Sequence, residues 1–595
     1  MNDAKNSLVR FGPRLSLPVP GRLPIWALAL AVSLLALHQS ASGGSAQDAQ
    51  PKDIGRISGT VVNSATNEPI GHALVFSPDE RFATMTDNNG RFELTFPQSD
   101  SIGGGAQAGF TRNYRPYALT ARKPGFLTEP DEPQQNLMAL PPGKDVTIPL
   151  VPEALIVGHV ALPTSEAPES IQVEIYRRQV QNGRARWVPM KRETTRSNGN
   201  FRFAELPAGS YKVFTRESLD RDTETDQTAQ LNGYPPVYFP NAKDFASAAT
   251  IQLTPGKVTE VDLSLLRQPY YRIKLPVANA QPGPPLGITV SLQGHEGPGY
   301  SLGYDSQQQA IIGMLPSGSY RLDAASYGAA ALSGTLNVTV NGPLAGPVMV
   351  VVPDSPIKVN VREEFTSAQG EGPGATNNPR RSIEVRAARS DVNVTLEPVN
   401  DFAQQRGLLR ERHSGPQNDS YVIEHVQPGR YWVQVYSPRG YPYSVTSGGV
   451  DLRHQPLVVP AGVSVGPIEV TLRDDTGEID GTIEGATTSA ALPVGTLEGS
   501  GQTSIPVPPL NAHIYCIPLP DSTGRFTEAL AGPDGRFTVA SLAPGEYRLL
   551  AFTRRQTLEY ENPEAMRAYD GKGQMVRVSG GQKEQVQLHL IPAGE

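Results

Sequence analysis

The chain has 595 residues, including 58 Gly and 55 Pro, and 7% of its residues are aromatic. Frequent glycine and proline exclude long helices, while a hydrophobic content of 38% suffices for several small cores. The formal charge of −7, without a basic stripe, argues against a nucleic-acid partner.

The first 46 residues have the pattern of a secretory signal peptide. Basic residues such as Arg14 and Arg22 precede an apolar run at 24–37, and small residues at 44–46 offer a cleavage site. The alternative is an uncleaved membrane anchor, but the run is shorter than the roughly 20 residues that cross a bilayer. We expect cleavage after residue 46, a linker at 47–53, no membrane span after cleavage, and a periplasmic or extracellular protein.

Cys516 is the single cysteine of the chain, so no intramolecular disulfide can form. Each module must therefore be held by core packing alone. Because Cys516 lies in a strand-like apolar run, we expect it in a core and not as a reactive thiol.

Two segments of the chain have nearly the same pattern. Residues 198–214 read NGNFRFAELPAGSYKVF and residues 534–550 read DGRFTVASLAPGEYRLL. The Asn-Gly or Asp-Gly pair fits a tight turn, the alternating apolar residues fit a strand, and proline with glycine forces a second turn. We predict strand, turn and strand in each segment, about one antiparallel hairpin.

Looser copies of this pattern at 313–322 and 421–435 indicate a repeated folding unit. In these copies Gln308 and Asp419 replace the turn glycine. Short strands and regular turns in units of about 100 residues favour β-sandwiches. The predicted modules are 54–152, 153–266, 267–353, 354–474 and 475–595.

The first module contains three motifs in order: G-x-V at 59–61, P-[ILV]-x-x-A-x-V at 69–75 and T-D-x-x-G-x-F at 86–92. Together they resemble the carboxypeptidase regulatory-like domain, and the chain resembles arrays of such domains in secreted bacterial proteins. Modules two and five match only the second half. The resemblance implies an all-β tandem array of about five transthyretin-like or Ig-like antiparallel β-sandwich modules. That fold is also grouped with carbohydrate-binding sandwiches, but a fold does not imply a substrate.

Patterns for catalysis or metal binding are not evident in the sequence. None of the nine histidines is followed three residues later by glutamate, as a zinc peptidase would require. There is no Gly-x-Ser-x-Gly elbow, P-loop or Rossmann fingerprint. Residues 87–90 lack the spaced carboxylates of a calcium loop and fit a turn better. We therefore expect a protein that is not an enzyme and has no cofactor or metal.

Two aromatic clusters are the candidate binding residues. They are Trp432, Tyr436, Tyr441 and Tyr443 in module four, and Tyr234, Tyr238 and Phe239 in a loop of module two. Flat rings can stack on sugars or anchor a protein partner, and the alternative is that they plug the ends of small cores. Strand alternation predicts Tyr431 and Val433 on the core face of their strand and Trp432 and Tyr436 on the outer face. The other two tyrosines of module four are expected in the loop that follows.

These patterns predict an exported, non-enzymatic multidomain protein that binds a glycan or cell-surface ligand, with a polysaccharide or an envelope protein as partner. A structural spacer or protein–protein interaction scaffold in the bacterial envelope is the alternative. A cryptic hydrolase comes third, because the sequence shows no convergence of histidine and acidic residues.

Overall fold

The computed structural model describes residues 54–97, 118–128, 145–163, 170–220, 230–279, 285–326, 331–367, 382–387, 392–402, 421–484, 512–532 and 534–591. Residues Gly55–Glu595 form one compact unit. The predicted signal peptide and linker lie outside the described residues. Within the described ranges, no helix has the length and apolar character needed to cross a membrane.

The chain folds into β-sandwiches, numbered here in chain order. Sandwich 1 comprises β1 (Ile54–Asn63), β2 (Leu74–Phe76), β3 (Ala83–Met85), β4 (Arg91–Pro97), β5 (Thr120–Arg122), β6 (Phe126–Thr128) and β7 (Val146–Pro152). Its sheets are β4-β1-β7-β6 and β3-β2-β5.

Sandwich 2 comprises β8 (Ala154–Ala161), β9 (Gln172–Gln181), β10 (Arg184–Thr194), β11 (Asn200–Leu206), β12 (Gly209–Thr215), β13 (Ser218–Leu219), β14 (Leu231–Tyr234), β15 (Ile251–Leu253) and β16 (Val258–Ser264). Its sheets are β11-β8-β16 and β10-β9-β12-β15.

Sandwich 3 comprises β17 (Gln268–Ala278), β18 (Gly287–Leu292), β19 (His295–Tyr300), β20 (Gly303–Asp305), β21 (Ala310–Pro316), β22 (Gly318–Ala325), β23 (Leu332–Val340), β24 (Leu344–Ala345), β25 (Met349–Val350) and β26 (Val352–Pro353). Its second sheet is β19-β18-β22-β23-β26. The first sheet, β13-β14-β17-β21-β20, also contains two strands from sandwich 2, and β24 and β25 pair with β17. Backbone hydrogen bonding therefore joins these two sandwiches.

Sandwich 4 comprises β27 (Ser355–Ser367), β28 (Ser382–Ala387), β29 (Asn393–Pro398), β30 (Tyr421–Val426), β31 (Gly429–Tyr436), β32 (Tyr441–Ser447), β33 (Val450–Asp451), β34 (Leu457–Val459) and β35 (Ile468–Arg473). Its sheets are β28-β27-β35-β32-β33, in which β30 also pairs with β27, and β29-β31-β34.

Sandwich 5 comprises β36 (Gly477–Ile483), β37 (His513–Pro518), β38 (Thr527–Leu530), β39 (Arg536–Leu542), β40 (Gly545–Phe552), α1 (Pro563–Met566), a 3-10 turn (Arg567–Tyr569), β41 (Gln574–Val578), β42 (Lys583–Leu588) and β43 (Leu590–Ile591). Its sheets are β39-β36-β42 and β38-β37-β40-β41, with β43 on β40.

The opening and closing strands of sandwiches 1, 2, 4 and 5 pair in parallel. The pairs are β1 with β7, β8 with β16, β27 with β35 and β36 with β42. In sandwich 3, β17 pairs in parallel with the short strands β24 and β25. Because paired parallel strands run in one direction, the chain enters such a sandwich at one end and leaves at the other.

Separate cores hold the sandwiches. Buried apolar residues form clusters within 57–150, 154–265, 273–351, 357–472 and 479–588. Cys516 belongs to the last cluster and is fully buried, which confirms the prediction of a core cysteine. Each buried large apolar side chain contributes about 1.5–3 kcal/mol.

The repeated Asn-Gly or Asp-Gly turn has one geometry in sandwiches 1, 2 and 5. Gly90, Gly199 and Gly535 have φ of 71°, 80° and 74°, a region that glycine enters without strain. Their carbonyls accept hydrogen bonds from backbone N–H groups in the opening strands, at 2.8, 3.0 and 3.0 Å. The turn therefore fixes the register between the opening strand and the strand that follows the turn.

The second turn of the repeat does not make a hairpin. In sandwich 2, β11 and β12 belong to different sheets, and in sandwich 5 the same holds for β39 and β40. The prediction of an antiparallel hairpin is therefore wrong. Alternation and turn residues predict a strand and a bend, but not which strand is the partner. At this turn the chain crosses from one sheet to the other.

A tyrosine hydroxyl fixes each of these crossings. In sandwiches 2 to 5 it donates a hydrogen bond to the carbonyl oxygen four residues earlier, an arrangement of the tyrosine-corner type. The pairs are Tyr211 to Pro207 (2.6 Å), Tyr320 to Pro316 (3.0 Å), Tyr431 to Gln427 (2.8 Å) and Tyr547 to Ala543 (2.6 Å). The contact explains why the tyrosine recurs even in the copies that lack the turn glycine.

Candidate ligand-binding cleft

A cleft of about 670 Å³ lies between sandwiches 4 and 5. Sandwich 4 contributes the end of β31 and the start of β32, and sandwich 5 contributes the segment between β37 and β38. The lining includes Trp432, Tyr436 and Tyr441, three of the four predicted aromatic residues of module four. Clefts that combine aromatic surface with a few polar groups are the usual form of ligand sites.

Strand β31 presents its two faces as the sequence predicts. Tyr431 and Val433 are buried, whereas Trp432 is half-buried and Tyr436 is 48% exposed. The predicted alternation is confirmed for these four side chains. Trp432 and Tyr436 therefore share one face of the strand, and both line the cleft.

The last two tyrosines of this cluster lie in strand β32, so their predicted position in a loop is wrong. The preceding Pro-Arg-Gly segment forms a tight turn, and the chain resumes pairing at Tyr441 opposite Arg473. Tyr441 is buried and donates a hydrogen bond to Asp475 Oδ1 at 2.8 Å. Burial, together with this carboxylate, raises the pKa of the Tyr441 hydroxyl above its usual range. Tyr443 is 40% exposed and lies outside the cleft lining.

Arginine side chains lie over Trp432 and Tyr436. The Arg525 guanidinium carbon is 4.7 Å from the ring centre of Tyr436, and that of Arg184 is 4.0 Å from Trp432. Phe526 and Tyr560 stack with 4.4 Å between ring centres and line the cleft on the side of sandwich 5. Such cation–π contacts hold ring and guanidinium together with about 0.5–2 kcal/mol each.

Arg184 reaches the cleft from sandwich 2, because the β9–β10 hairpin extends to sandwich 5. Arg184 forms an ion pair with Glu561 at 2.8 Å, and Arg178 forms a bidentate pair with Glu559. The tip residue Gly183 lies so close to Tyr560 that a Cβ there would be 2.5 Å from the ring. Sequence reasoning missed this contribution. The local signal was the basic stretch carried by these two strands, which are 10 and 11 residues long.

The same hairpin is fixed to sandwich 4 by a buried ion pair. Arg186, 3% exposed, contacts Glu397 at 2.9 Å and donates to the Pro398 carbonyl at 2.7 Å. The backbone N–H of Trp187 donates a hydrogen bond to the backbone carbonyl of Asp401 at 2.7 Å. Sandwich 2 therefore packs against sandwiches 4 and 5.

The predicted aromatic cluster of module two lies in the interior. Tyr234 and Tyr238 are 4% and 3% exposed, and Phe239 is half-buried against the core of sandwich 2. The Tyr238 hydroxyl donates to the Pro298 carbonyl of sandwich 3. These rings fill a core and a junction between sandwiches, which is the alternative that the sequence left open.

The described residues offer little reactive chemistry. Among them, no group of three or more His, Cys, Asp or Glu side chains could hold a metal ion. Burial raises the pKa of the Cys516 thiol to about 12, which disfavours the nucleophilic thiolate. What the cleft offers is aromatic surface, guanidinium groups and backbone polar groups.

No protein-family model and no curated protein matches the chain. Solved structures to which it is similar include the Bacillus anthracis TIE protein, at 10% identity and TM-score 0.14, covering 74% of each chain. A streptococcal ancillary pilin matches at 12% identity and TM-score 0.16, covering 54% of this chain and 98% of the pilin. Two B repeats of the Staphylococcus aureus collagen binding protein match at 9% identity and TM-score 0.13, covering 68% and 94%. At these identities and TM-scores the similarity does not bear on function.

Proposed function

We propose that the chain is an exported, non-enzymatic binding protein whose cleft between sandwiches 4 and 5 takes a glycan. Residues 1–46 would be removed on export, leaving a periplasmic or extracellular array of carboxypeptidase regulatory-like modules with the boundaries predicted above. The separate core clusters support those boundaries, since each lies within one predicted module. The three motifs of the first module support the family.

The observation that carries the proposal is the exposed Tyr436 ring at the cleft wall, on the same face of β31 as Trp432. A large aromatic side chain that is 48% exposed on a rigid strand loses little entropy when a sugar face stacks on it. The guanidinium groups above the rings supply hydrogen-bond donors for hydroxyl or carboxylate oxygens. This combination favours a sugar over a purely apolar ligand.

A structural scaffold in the envelope remains the second candidate. It is favoured by the aromatic and ionic contacts that sandwiches 2, 4 and 5 make with one another, because the cleft-wall Trp432 takes part in them. In that case the cleft would only be the space left between packed sandwiches, and Tyr436 would bind no sugar.

The test is a glycan array probed with the chain from Gln47 onward and with two variants. Tyr436→Ala removes the exposed ring in the cleft. The matched control Tyr443→Ala removes a tyrosine of similar exposure that also has an arginine over its ring, with Arg473 at 3.5 Å, but lies outside the cleft. We expect binding that Tyr436→Ala weakens by roughly tenfold or more, as loss of a stacking ring does, and that the control retains. Absence of binding by a folded wild-type chain would favour the scaffold.

A further inference from the structure

We infer that the cleft prefers acidic glycans, with the uronate carboxylate held by Arg525. This inference rests on the proposed function and names the class of ligand. Its basis is Arg525, the one arginine of the cleft lining that has no carboxylate partner among the described residues.

The cleft lining is basic although the chain carries a formal charge of −7. The charged lining residues are Arg184, Arg439, Arg453, Arg525, Asp474 and Glu561. With His454 neutral, four arginines against two carboxylates give the lining a formal charge of +2. Two further carboxylates, Glu363 and Asp451, lie outside the lining and contact two of these arginines.

Most of these arginines already have a carboxylate partner. Arg184 pairs with Glu561 at 2.8 Å, and Arg453 pairs with Asp451 at 2.7 Å. Arg439 lies 3.9 Å from the buried Glu363. These three positive charges are therefore partly or fully compensated within the protein. The three side chains form part of the cleft wall, but their charges attract an anionic ligand only weakly.

Arg525 differs from these three because no carboxylate of the described residues lies within ion-pair distance of it. It is exposed, and its guanidinium is held over the Tyr436 ring, 4.7 Å from the ring centre. When a guanidinium lies flat over an aromatic ring, the N–H donors along its edge stay available. Two of them can form parallel hydrogen bonds to the two oxygens of a carboxylate. An acidic sugar packed near Tyr436 and Trp432 would place its carboxylate at this edge.

The experiment compares one glycan with and without its charge. Oligogalacturonate and oligomannuronate are titrated calorimetrically into the chain from Gln47, each beside its fully methyl-esterified form. We expect the acid forms to bind about tenfold or more tightly than the esters, and to weaken as ionic strength rises. Arg525→Gln should remove the preference for the acid form. Arg525→Lys should keep part of that preference, because lysine retains the positive charge but cannot form the bidentate hydrogen bonds of a guanidinium. Unchanged hydrogen exchange in sandwich 5 verifies that the variants fold.

Equal affinity for acid and ester, or a preference that Arg525→Gln leaves intact, would overturn the inference. If binding to both forms is equal but still lost in Tyr436→Ala, the glycan function stands and only the acidic preference fails. If neither form binds, the acidic preference is wrong, and the glycan array decides separately whether neutral sugars bind.

Discussion

Tyrosine hydroxyls at the sheet crossings are the residue-scale feature that recurs through the array. Each is buried with its ring in a core and points its polar end back to a carbonyl four residues earlier. In sandwiches 2, 4 and 5 the accepting carbonyl belongs to a residue of the bend, between two strands, where the strand ladder offers it no partner. A phenylalanine at the same position would keep the packing and lose only this bond.

Tyr211→Phe should therefore destabilise sandwich 2 by about 1–2 kcal/mol, the cost of one buried hydrogen bond. The readout is hydrogen exchange of β11 and β12, which should speed up by roughly tenfold. Tyr443→Phe, which alters an exposed hydroxyl, should change nothing measurable. Equal exchange in Tyr211→Phe and wild type would show that the hydroxyl does not hold the crossing.

The glycine of the opening strand is needed because an aromatic ring lies against it. A Cβ on Gly481 would be 2.2 Å from the Phe537 ring, and one on Gly158 would be 2.4 Å from Phe201. These contacts explain the glycine of the G-x-V pattern by packing and not by backbone conformation.

Gly481→Ala should destabilise sandwich 5 by more than about 2 kcal/mol, since the ring or the strand must move. Gly342→Ala is the control, because its added methyl group meets nothing within 4 Å. The difference in stability between the two variants is measured by heating them and detecting the unfolding of sandwich 5 by limited proteolysis. Similar stability of the two variants would contradict the packing explanation.

At the scale of elements, the sequence predicts strands and turns well and strand partners poorly. Alternation in β31 and the turn glycines are local properties, so they are readable from a few residues. The crossing between β11 and β12 depends on β8 and β9, which lie far away in sequence. Likewise Tyr441 pairs with Arg473, a partner that no local pattern indicates.

The junction of sandwiches 2 and 3 contains a carboxyl group that should make stability depend on pH. Glu217 Oε1 accepts hydrogen bonds from Ser301 N and Oγ at 2.7 and 2.8 Å, while its Oε2 is buried. Burial raises the pKa of Glu217 from near 4.5 to about 7, and the Ser301 bonds and the Arg216 charge offset this only partly. The buried hydroxyls of Tyr270, Tyr300 and Tyr320 surround it and offer no positive charge.

Because the folded pKa is raised, the folded state binds the proton more tightly than the unfolded state. The stabilisation is fully present below about pH 4.5 and is lost as the pH rises through about 7. Glu217→Gln should remove this dependence and gain about 2 kcal/mol over wild type at pH 8. Hydrogen exchange at the junction at pH 5 and pH 8, corrected for intrinsic rates, measures it. The exposed Glu205→Gln serves as control, and identical pH profiles of wild type and Glu217→Gln would contradict the prediction.

At the scale of the whole molecule, sandwich 2 makes ion pairs with sandwiches 4 and 5. The β9–β10 hairpin joins sandwich 2 to sandwich 4 through Arg186 and to sandwich 5 through Arg178. Sequence analysis identified three aromatic residues of the cleft because alternation exposes two of them. It could not identify Arg184 or Arg525, since only the packing of distant sandwiches brings them to those rings.

Arg186→Ala should loosen this arrangement, because it leaves the Glu397 carboxylate buried without its partner, at a cost of about 3–5 kcal/mol. We expect a larger radius of gyration in solution scattering and faster hydrogen exchange in β29. Arg178→Ala, which breaks a more exposed pair, should cost no more than about 1 kcal/mol. An unchanged radius and unchanged exchange in Arg186→Ala would mean that the ion pair does not hold the hairpin.

The most direct test of the binding cleft is hydrogen exchange of the whole chain with and without the tightest glycan from the array. The proposed site predicts protection in residues 431–441 and 519–527, on the two facing walls, with sandwiches 1 and 3 unchanged. Protection confined to another sandwich, or no protection at saturating glycan, would contradict the cleft as the binding site.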